Sequence, residues 1–302
     1  MKKGYLLVIS TAFISGLSIY LNKFSVSVIN PYVFTTLKNV VVAVFLLSLI
    51  LVFRKWEEIK KLTKKDALKL IAIGLIGGAI PFLLFFKGLS MTSAAKGGFI
   101  HKTMFLSVAI LAVVFLKEKI NKKLFLGILA LLAGTLLLVK LTPSALNKGD
   151  LLVFLAVLLW SFEQIVSKHV LKKLSGLTVA WGRIFFGSIF LLIFLGLTGQ
   201  LNGLSHLTAS QISWTLLTAV LLIGYVITYY TGLKKLPVSV AACLLALGAP
   251  ITVLLSLIFD RKIISLFEIS GLLLISLGVF LVTDLFTYLR SLKGKIYVRP
   301  GS

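Results

Sequence analysis

Residues 127–134 read Gly-Ile-Leu-Ala-Leu-Leu-Ala-Gly, and residues 271–278 read Gly-Leu-Leu-Leu-Ile-Ser-Leu-Gly. In each octet the glycines stand two turns apart on one face of an apolar helix. Small residues in this arrangement let helix backbones approach closely where no hydrophobic effect drives association, as in lipid. The octets are 144 residues apart, and the match extends outward from them. At the same offset Gly88-Leu89 falls on Gly232-Leu233 and Phe115 on Phe259. At an offset of 145, Gly4-Tyr5-Leu6-Leu7-Val8 falls on Gly149-Asp150-Leu151-Leu152-Val153, Lys23 on Lys168 and Lys38 on Arg183. Apolar matches are cheap in such a chain. The glycines and the Lys38/Arg183 pair weigh more, because intramembrane cations are rare.

The composition agrees with lipid as the main solvent. Of 302 residues, 59% are hydrophobic and 14% charged, against about 25% charged in a soluble domain; the mean hydropathy is +1.07. Ten apolar stretches of spanning length follow one another: 4–24, 32–53, 67–86, 94–116, 123–140, 151–170, 177–199, 211–233, 238–259 and 266–288. The first, after Lys2-Lys3, has the outline of a signal sequence but no small-x-small cleavage site, so it reads as a retained helix.

Net charge is +23, from 32 Lys and Arg against 9 Asp and Glu. With the N-terminus in the cytoplasm, the inner connections hold 22 cations and the outer ones 6. That asymmetry predicts both termini inside and an anionic inner leaflet as the partner of the basic runs. It leaves no folded region for nucleic acid. A single cysteine, Cys243, excludes an intrachain disulfide, and no phosphate loop, HExxH helix or metal-ligand cluster appears. The chain therefore reads as no enzyme, with no cofactor or metal. Five helices per half is an odd number, so the second copy (146–290) enters from the face opposite to the first (1–145), with 291–302 as a cytoplasmic tail. Inverted repeats of this kind are characteristic of secondary transporters.

The chain also resembles the drug/metabolite transporter (DMT) superfamily in its ten-helix EamA-type branch, over about 4–290. Carriers of the resemblance are Gly88-Leu89-Ser90-Met91-Thr92-Ser93-Ala94-Ala95, the acidic element Phe115-Leu116-Lys117-Glu118-Lys119, the Gly127/Gly134 helix, Trp160-Ser161 and Gly248-Ala249-Pro250. The resemblance implies metabolite or drug transport, often export, by alternating access, with a cavity lined by the third, fourth, eighth and ninth helices. The sequence departs from the pattern at Leu106, at Asp260-Arg261-Lys262, at Ser15-Gly16 and at His101-Lys102.

Few ionisable residues fall inside the spans, where a charge costs at least ~2.5–3.5 kcal/mol on insertion scales. His101 and Lys102 lie about two turns into the fourth helix and point roughly 100° apart. Lys102 reads as a carboxylate- or phosphate-binding group facing the cavity, or as a snorkelling cation; His101 reads as a titrating group or a packed one. Lys38 and Arg183 read as a symmetric pair of gate or anion contacts, or as snorkelling stems. Glu163, the one carboxylate well inside a span, reads as a carrier of a coupling proton, an amine ligand, or a structural partner of Lys102 or Arg183. Trp160, Tyr229 and Phe85, with Trp181, Tyr225, Tyr230, Phe82 and Phe86, offer aromatic faces for a cation or ordinary packing. Gly74, Gly77, Gly78, Gly97 and Gly98 mark further close helix crossings, or a hinge.

The resulting expectation is a secondary active transporter in a prokaryotic cytoplasmic membrane. Its substrate would be a small organic metabolite, amino-acid-like or an organic anion, moved outward by alternating access. Lys102, Arg183 and Lys38 would attract the carboxylate and Glu163 its amine or a proton. A proton-coupled exporter of cationic or lipophilic amines, a channel and a non-transporting scaffold are the competing readings.

Overall fold

The computed structural model describes residues 2–89, 91–92, 94–138, 146–261 and 264–283. The expected tail at 291–302, Lys140, Lys262 and the ends of the predicted spans 123–140 and 266–288 lie outside the described residues. What is described is helix and short connections, with no strand among the described residues.

The first half contains α1 (Lys2–Val28), α2 (Pro31–Val52), α3 (Trp56–Lys60), α4 (Lys64–Ile73), a π-helical turn (Gly74–Ala79), α5 (Ile80–Leu89), α6 (Ala94–Lys102), α7 (Met104–Leu116) and α8 (Lys122–Leu138). The second contains α9 (Lys148–Val170), α10 (Gly176–Leu197), a 3₁₀ turn (Leu201–Leu204), α11 (Ala209–Leu233), α12 (Val238–Leu245), α13 (Gly248–Phe259) and α14 (Leu266–Val282). Among the described residues, eight helices are long and apolar enough to cross a membrane. They are α1, α2, α4 through α5, α6 through α7, α9, α10, α11, and α12 through α13. The glycine-octet helices α8 and α14 are shorter, at 17 described residues each. Large apolar side chains lie exposed along most of these helices, among them Phe13, Val44, Val114, Phe125, Ile193, Val220, Ile258 and Leu273. An exposed apolar surface of this extent belongs against lipid rather than water.

The connections fix where helices begin. Asn30 Oδ1 accepts from Tyr32 N–H at 2.9 Å, with Pro31 as the first residue of α2. Asn147/Asp150, Thr208/Gln211 and Ser265/Glu268 form reciprocal capping boxes on α9, α11 and α14. Glu118, in the acidic element after α7, caps a helix of the other half. Its carboxylate accepts from Val238 N–H at 2.7 Å, Ser239 N–H at 3.2 Å and Ser239 Oγ–H at 2.6 Å at the start of α12.

Packing repeats between the halves. α1 packs on α11 as α9 packs on α5, and α1 meets α12 and α13 as α9 meets α6 and α7. α2 packs on α10 and α8 on α14, each helix against its own counterpart. The matched glycines sit at matched contacts. A Cβ on Gly88 would lie 2.8 Å from Gly149 O and from Val153 Cγ2, and one on Gly232 would lie 3.2 Å from Gly4 O and 2.6 Å from Val8 Cγ2. In the octet pair, Gly134 and Gly271 face each other, a Cβ on either reaching the other's carbonyl oxygen at 2.7–2.8 Å. α2 and α10 both end on a left-handed residue, Arg54 (φ 54°) and Gly199 (φ 68°), and α7 and α13 are followed by left-handed Lys117 and Arg261.

Two features depart from straight spans. The fourth segment breaks at Thr103, between α6 and α7, and the ninth breaks at Ala246–Leu247, between α12 and α13. These are equivalent places in the two halves. In the second, Pro250 has no N–H to give Ala246 O, which instead accepts from Ala249 N–H at 3.0 Å. In the first, without a proline, Thr103 Oγ–H donates to Ile100 O at 2.8 Å and competes with the helical ladder. The basic connection after α2 is also ordered. Burial of Glu58 by itself favours its protonated form. The hydrogen bonds donated by Ser175 N–H (3.0 Å), Thr178 Oγ–H (2.8 Å) and Lys55 Nζ (3.2 Å) outweigh it and hold the carboxyl below its ordinary value.

Gly134→Ala and Gly271→Ala are each expected to lower stability by ~1–3 kcal/mol through overpacking. Because the two residues touch, the double variant departs from the sum; thermal unfolding in detergent measures both. Glu58 gives a pH test. Its folded carboxyl titrates below the unfolded one, so its contribution is complete at neutral pH and is lost as pH falls through the folded value. The stability gap between wild type and Glu58→Gln should close on acidification; a gap that is constant with pH contradicts the assignment.

Candidate functional site

The π turn Gly74–Ala79 lies in the middle of the third span, pressed against α10. Gly74, Gly78 and Gly187 make this possible. A Cβ on Gly74 would lie 2.4 Å from Phe186 Cβ, one on Gly78 2.6 Å from Arg183 O, and one on Gly187 2.9 Å from Gly78 Cα. A π turn shifts the i→i−4 ladder and leaves carbonyls for other donors, often at functional places. Here Gly77 O accepts from Trp160 Nε1–H of α9 at 3.1 Å and from Arg183 Nη2–H of α10 at 2.9 Å. Gly78 O accepts from Asn39 Nδ2–H of α2 at the long distance of 3.5 Å.

Glu163 also lies against Gly77. It is 3% exposed, and Arg183 is 8% exposed. A Cβ on Gly77 would lie 2.4 Å from Glu163 Cγ and 3.0 Å from Arg183 Nε. The missing side chain of Gly77 therefore leaves room for both Glu163 and Arg183, and no Arg183–Glu163 ion pair within 4.0 Å forms among the described residues. Glu163 Oε1 accepts instead from Tyr230 OH at 2.6 Å and from Ser167 Oγ–H, one turn along α9. Beside it Tyr229 OH donates to Gln164 Oε1, whose Nε2 faces Met104 Sδ at 3.8 Å. Two buried polar atoms of residues that reach the π turn have no hydrogen-bond partner among the described residues: Arg183 Nε and Asn39 Oδ1.

An aromatic group continues from Trp160. Its ring lies 5.3 Å from His101, 5.3 Å from Phe82 and 5.5 Å from Phe85, and Phe85 lies 5.2 Å from His101. Phe86 stacks on Phe82 at 6.4 Å. These rings come from α5, α6 and α9 and meet just before the break at Thr103.

Of the residues singled out in the sequence, Glu163, Arg183, Trp160 and Tyr229 thus share one buried centre, and His101 and Phe85 join it through Trp160. Lys102 ends α6 at the break, half-buried, next to His101. Lys38 lies with Nζ 4.4 Å from the Phe34 ring centroid, in a cation–π contact rather than an ion pair with Glu163. The pairing of Lys38 with Arg183 in sequence is therefore one of helix position; their side chains have different partners. Asn39, Gln164 and Ser167 were not legible as site residues. Uncharged polar residues in an apolar span carry only a weak signal, and Asn39 and Gln164 sit directly after the charged Lys38 and Glu163.

An apolar-surfaced helical bundle that buries an arginine and a glutamate beside two broken helices has the architecture of a multi-pass membrane protein. The comparisons with known proteins agree. The EamA-like transporter family matches residues 2–140 and again 147–284. The chain is 26% identical over 285 residues to the uncharacterized transporter YyaM of Bacillus subtilis, covering 91% of this chain and 92% of that one. It is 24% identical over 297 residues to an uncharacterized transporter of Methanothermobacter thermautotrophicus, covering 92% and 85%. A solved crystal structure superposes with a TM-score of 0.76 at 17% identity, covering 96% of this chain and 99% of the other, a likeness of fold. The chain belongs to the EamA-like transporter family, within the DMT superfamily, and is a membrane transporter.

Gly77→Ala is expected to displace Glu163 and Arg183 and to lower the unfolding temperature. Gly98→Ala, where a Cβ meets nothing within 4 Å, should leave it unchanged or raised. Equal behaviour of the two variants in detergent-solubilised protein would contradict this reading of Gly77.

Proposed function

We propose that the chain is a secondary active transporter that exports a small organic metabolite, amino-acid-like or an organic anion, across a prokaryotic cytoplasmic membrane by alternating access. Residues 1–145 and 146–290 act as inverted repeats, each of five spans, with both termini in the cytoplasm. The exchange-symmetric packing of the halves and the equivalent breaks at Thr103 and Leu247 support this reading. Two arrangements of one duplicated structure can open alternately to either side.

The observation that carries the substrate class is Arg183 and Glu163 both buried against Gly77 but bonded to other partners rather than to each other, with the Trp160 aromatic group alongside. A zwitterion presents a carboxylate and an ammonium a few ångströms apart, and an apolar side chain fits against rings. Arg183 takes the carboxylate, with Lys102 adding positive potential at the break in the fourth span. Glu163 takes the ammonium or, for a simple acid, a coupling proton. A second reading, export of lipophilic amines, draws on the same rings and Glu163 without Arg183.

Counterflow in proteoliposomes tests the assignment. Glu163→Gln and Lys102→Ala are each expected to reduce flux by about tenfold or more, a loss of ~1.4 kcal/mol in transition-state stabilisation. Wild-type flux in both folded variants would remove the assignment. Saturable counterflow separates a carrier from a channel, and a flux that follows an imposed pH gradient in wild type but not in Glu163→Gln identifies the coupling proton.

A further inference from the structure

Arg183 is a buried cation with an incomplete set of bonds. Its Nη2 donates to Gly77 O at 2.9 Å, while Nε has no partner. These two nitrogens share one edge of the planar guanidinium, the edge that matches a carboxylate with two parallel hydrogen bonds. A buried donor left unmade costs ~1–3 kcal/mol, and more when it is charged. The nearest protein carboxylate does not fill the edge, because Glu163 is turned to Tyr230 and Ser167. Gly77 O, by contrast, has a second donor in Trp160 Nε1–H. If Arg183 leaves, that carbonyl remains bonded. The exchange of Gly77 O for an external carboxylate therefore leaves no new orphan and completes an old one.

We propose that the Nε/Nη2 edge of Arg183 is a two-pronged site for the carboxylate of the transported solute, and that the carboxylate displaces Arg183 from Gly77 O and so unties the π turn from α10. The assignment rests on the transport reading above and deepens it by naming the atoms and their consequence. Arg183 is the polar tie between α10 and the π turn; the other contacts there are close packing of Gly74, Gly78 and Gly187. α5 follows the turn directly and carries Phe82 and Phe85 of the aromatic group. Loosening the turn therefore moves the rings that face the rest of the solute. Primary amides of the same acids cannot replace the carboxylate: an amide offers one acceptor oxygen and directs an NH₂ at a cationic donor.

The test uses the full chain in nanodiscs and a panel of acids, from acetate to phenylacetate and the α-amino acids, each paired with its primary amide. Wild type is expected to be stabilised by at least one acid with an apparent Kd about tenfold or more below that of its amide. Binding of that acid, not of the amide, should speed hydrogen exchange in residues 74–79. Arg183→Lys, which keeps the charge and loses the edge, should reduce the acid-over-amide preference to about threefold or less. Acid and amide binding alike, no acid binding, unchanged exchange at 74–79, or a preference retained in Arg183→Lys each overturns the proposal. If Arg183→Lys does not fold, the wild-type comparison and the exchange measurement decide alone. Flux separates this from the broader reading. Vesicles that move no organic solute overturn transport itself. Vesicles in which Arg183→Lys moves an acid with the wild-type KM overturn only the role of the edge.

Discussion

The centre of this protein depends on one residue that has no side chain. Gly77 gives its carbonyl to Trp160 and Arg183, and its missing Cβ leaves the space that Glu163 and Arg183 occupy. In hydrocarbon every backbone polar group has to be satisfied within the protein. A π turn would normally be costly there because it strands carbonyls. Here the stranded carbonyls become the acceptors that position a buried arginine and a tryptophan. Any larger residue at 77 collides with the carboxylate, so the turn, the charges and the aromatic group form a single unit.

Around this centre the protein is a duplication that has kept its framework and lost symmetry at its heart. The glycine contacts, the left-handed residues closing α2 and α10, and the breaks between α6 and α7 and between α12 and α13 recur in both halves. The π turn does not: the corresponding part of α11 runs as unbroken α-helix within Ala209–Leu233. Nor does the charge pattern, since Arg183 reaches Gly77 O whereas Lys38 lies over Phe34. The framework is set by how closely two helix backbones can approach, a requirement both halves share. The centre is set by side-chain partners that only one half supplies.

The connections carry a second division of labour. Most of the positive charge lies in short segments at helix ends. Some of those segments also fasten one half to the other. Glu118 caps α12 across the halves, and Glu58 ties the connection after α2 to the start of α10. Lys168 Nζ, from the end of α9, donates to Leu233 O and Leu236 O at 2.7 and 2.6 Å, closing the end of α11. Charged groups in the connections thus also fix the ends of α10, α11 and α12.

What the sequence determined by itself was the class of structure. Hydropathy made it helical and membrane-embedded, and the repeated glycines made it a duplication, because lipid leaves few ways to satisfy a backbone and few residues that let helices touch. It also drew attention to Glu163, Arg183, Trp160 and His101, since polar and ionisable groups are conspicuous among apolar ones. Only the tertiary structure decided which of these share a site. Side-chain partners across helices depend on rotation and crossing, which periodicity does not encode; that is why Lys38 parted from Arg183 and why Asn39, Gln164 and Ser167 went unseen. The π turn was likewise invisible. Three glycines in an apolar run read as close packing or a hinge; that Arg183 and Trp160 reach Gly77 O from two other helices is visible only in the structure.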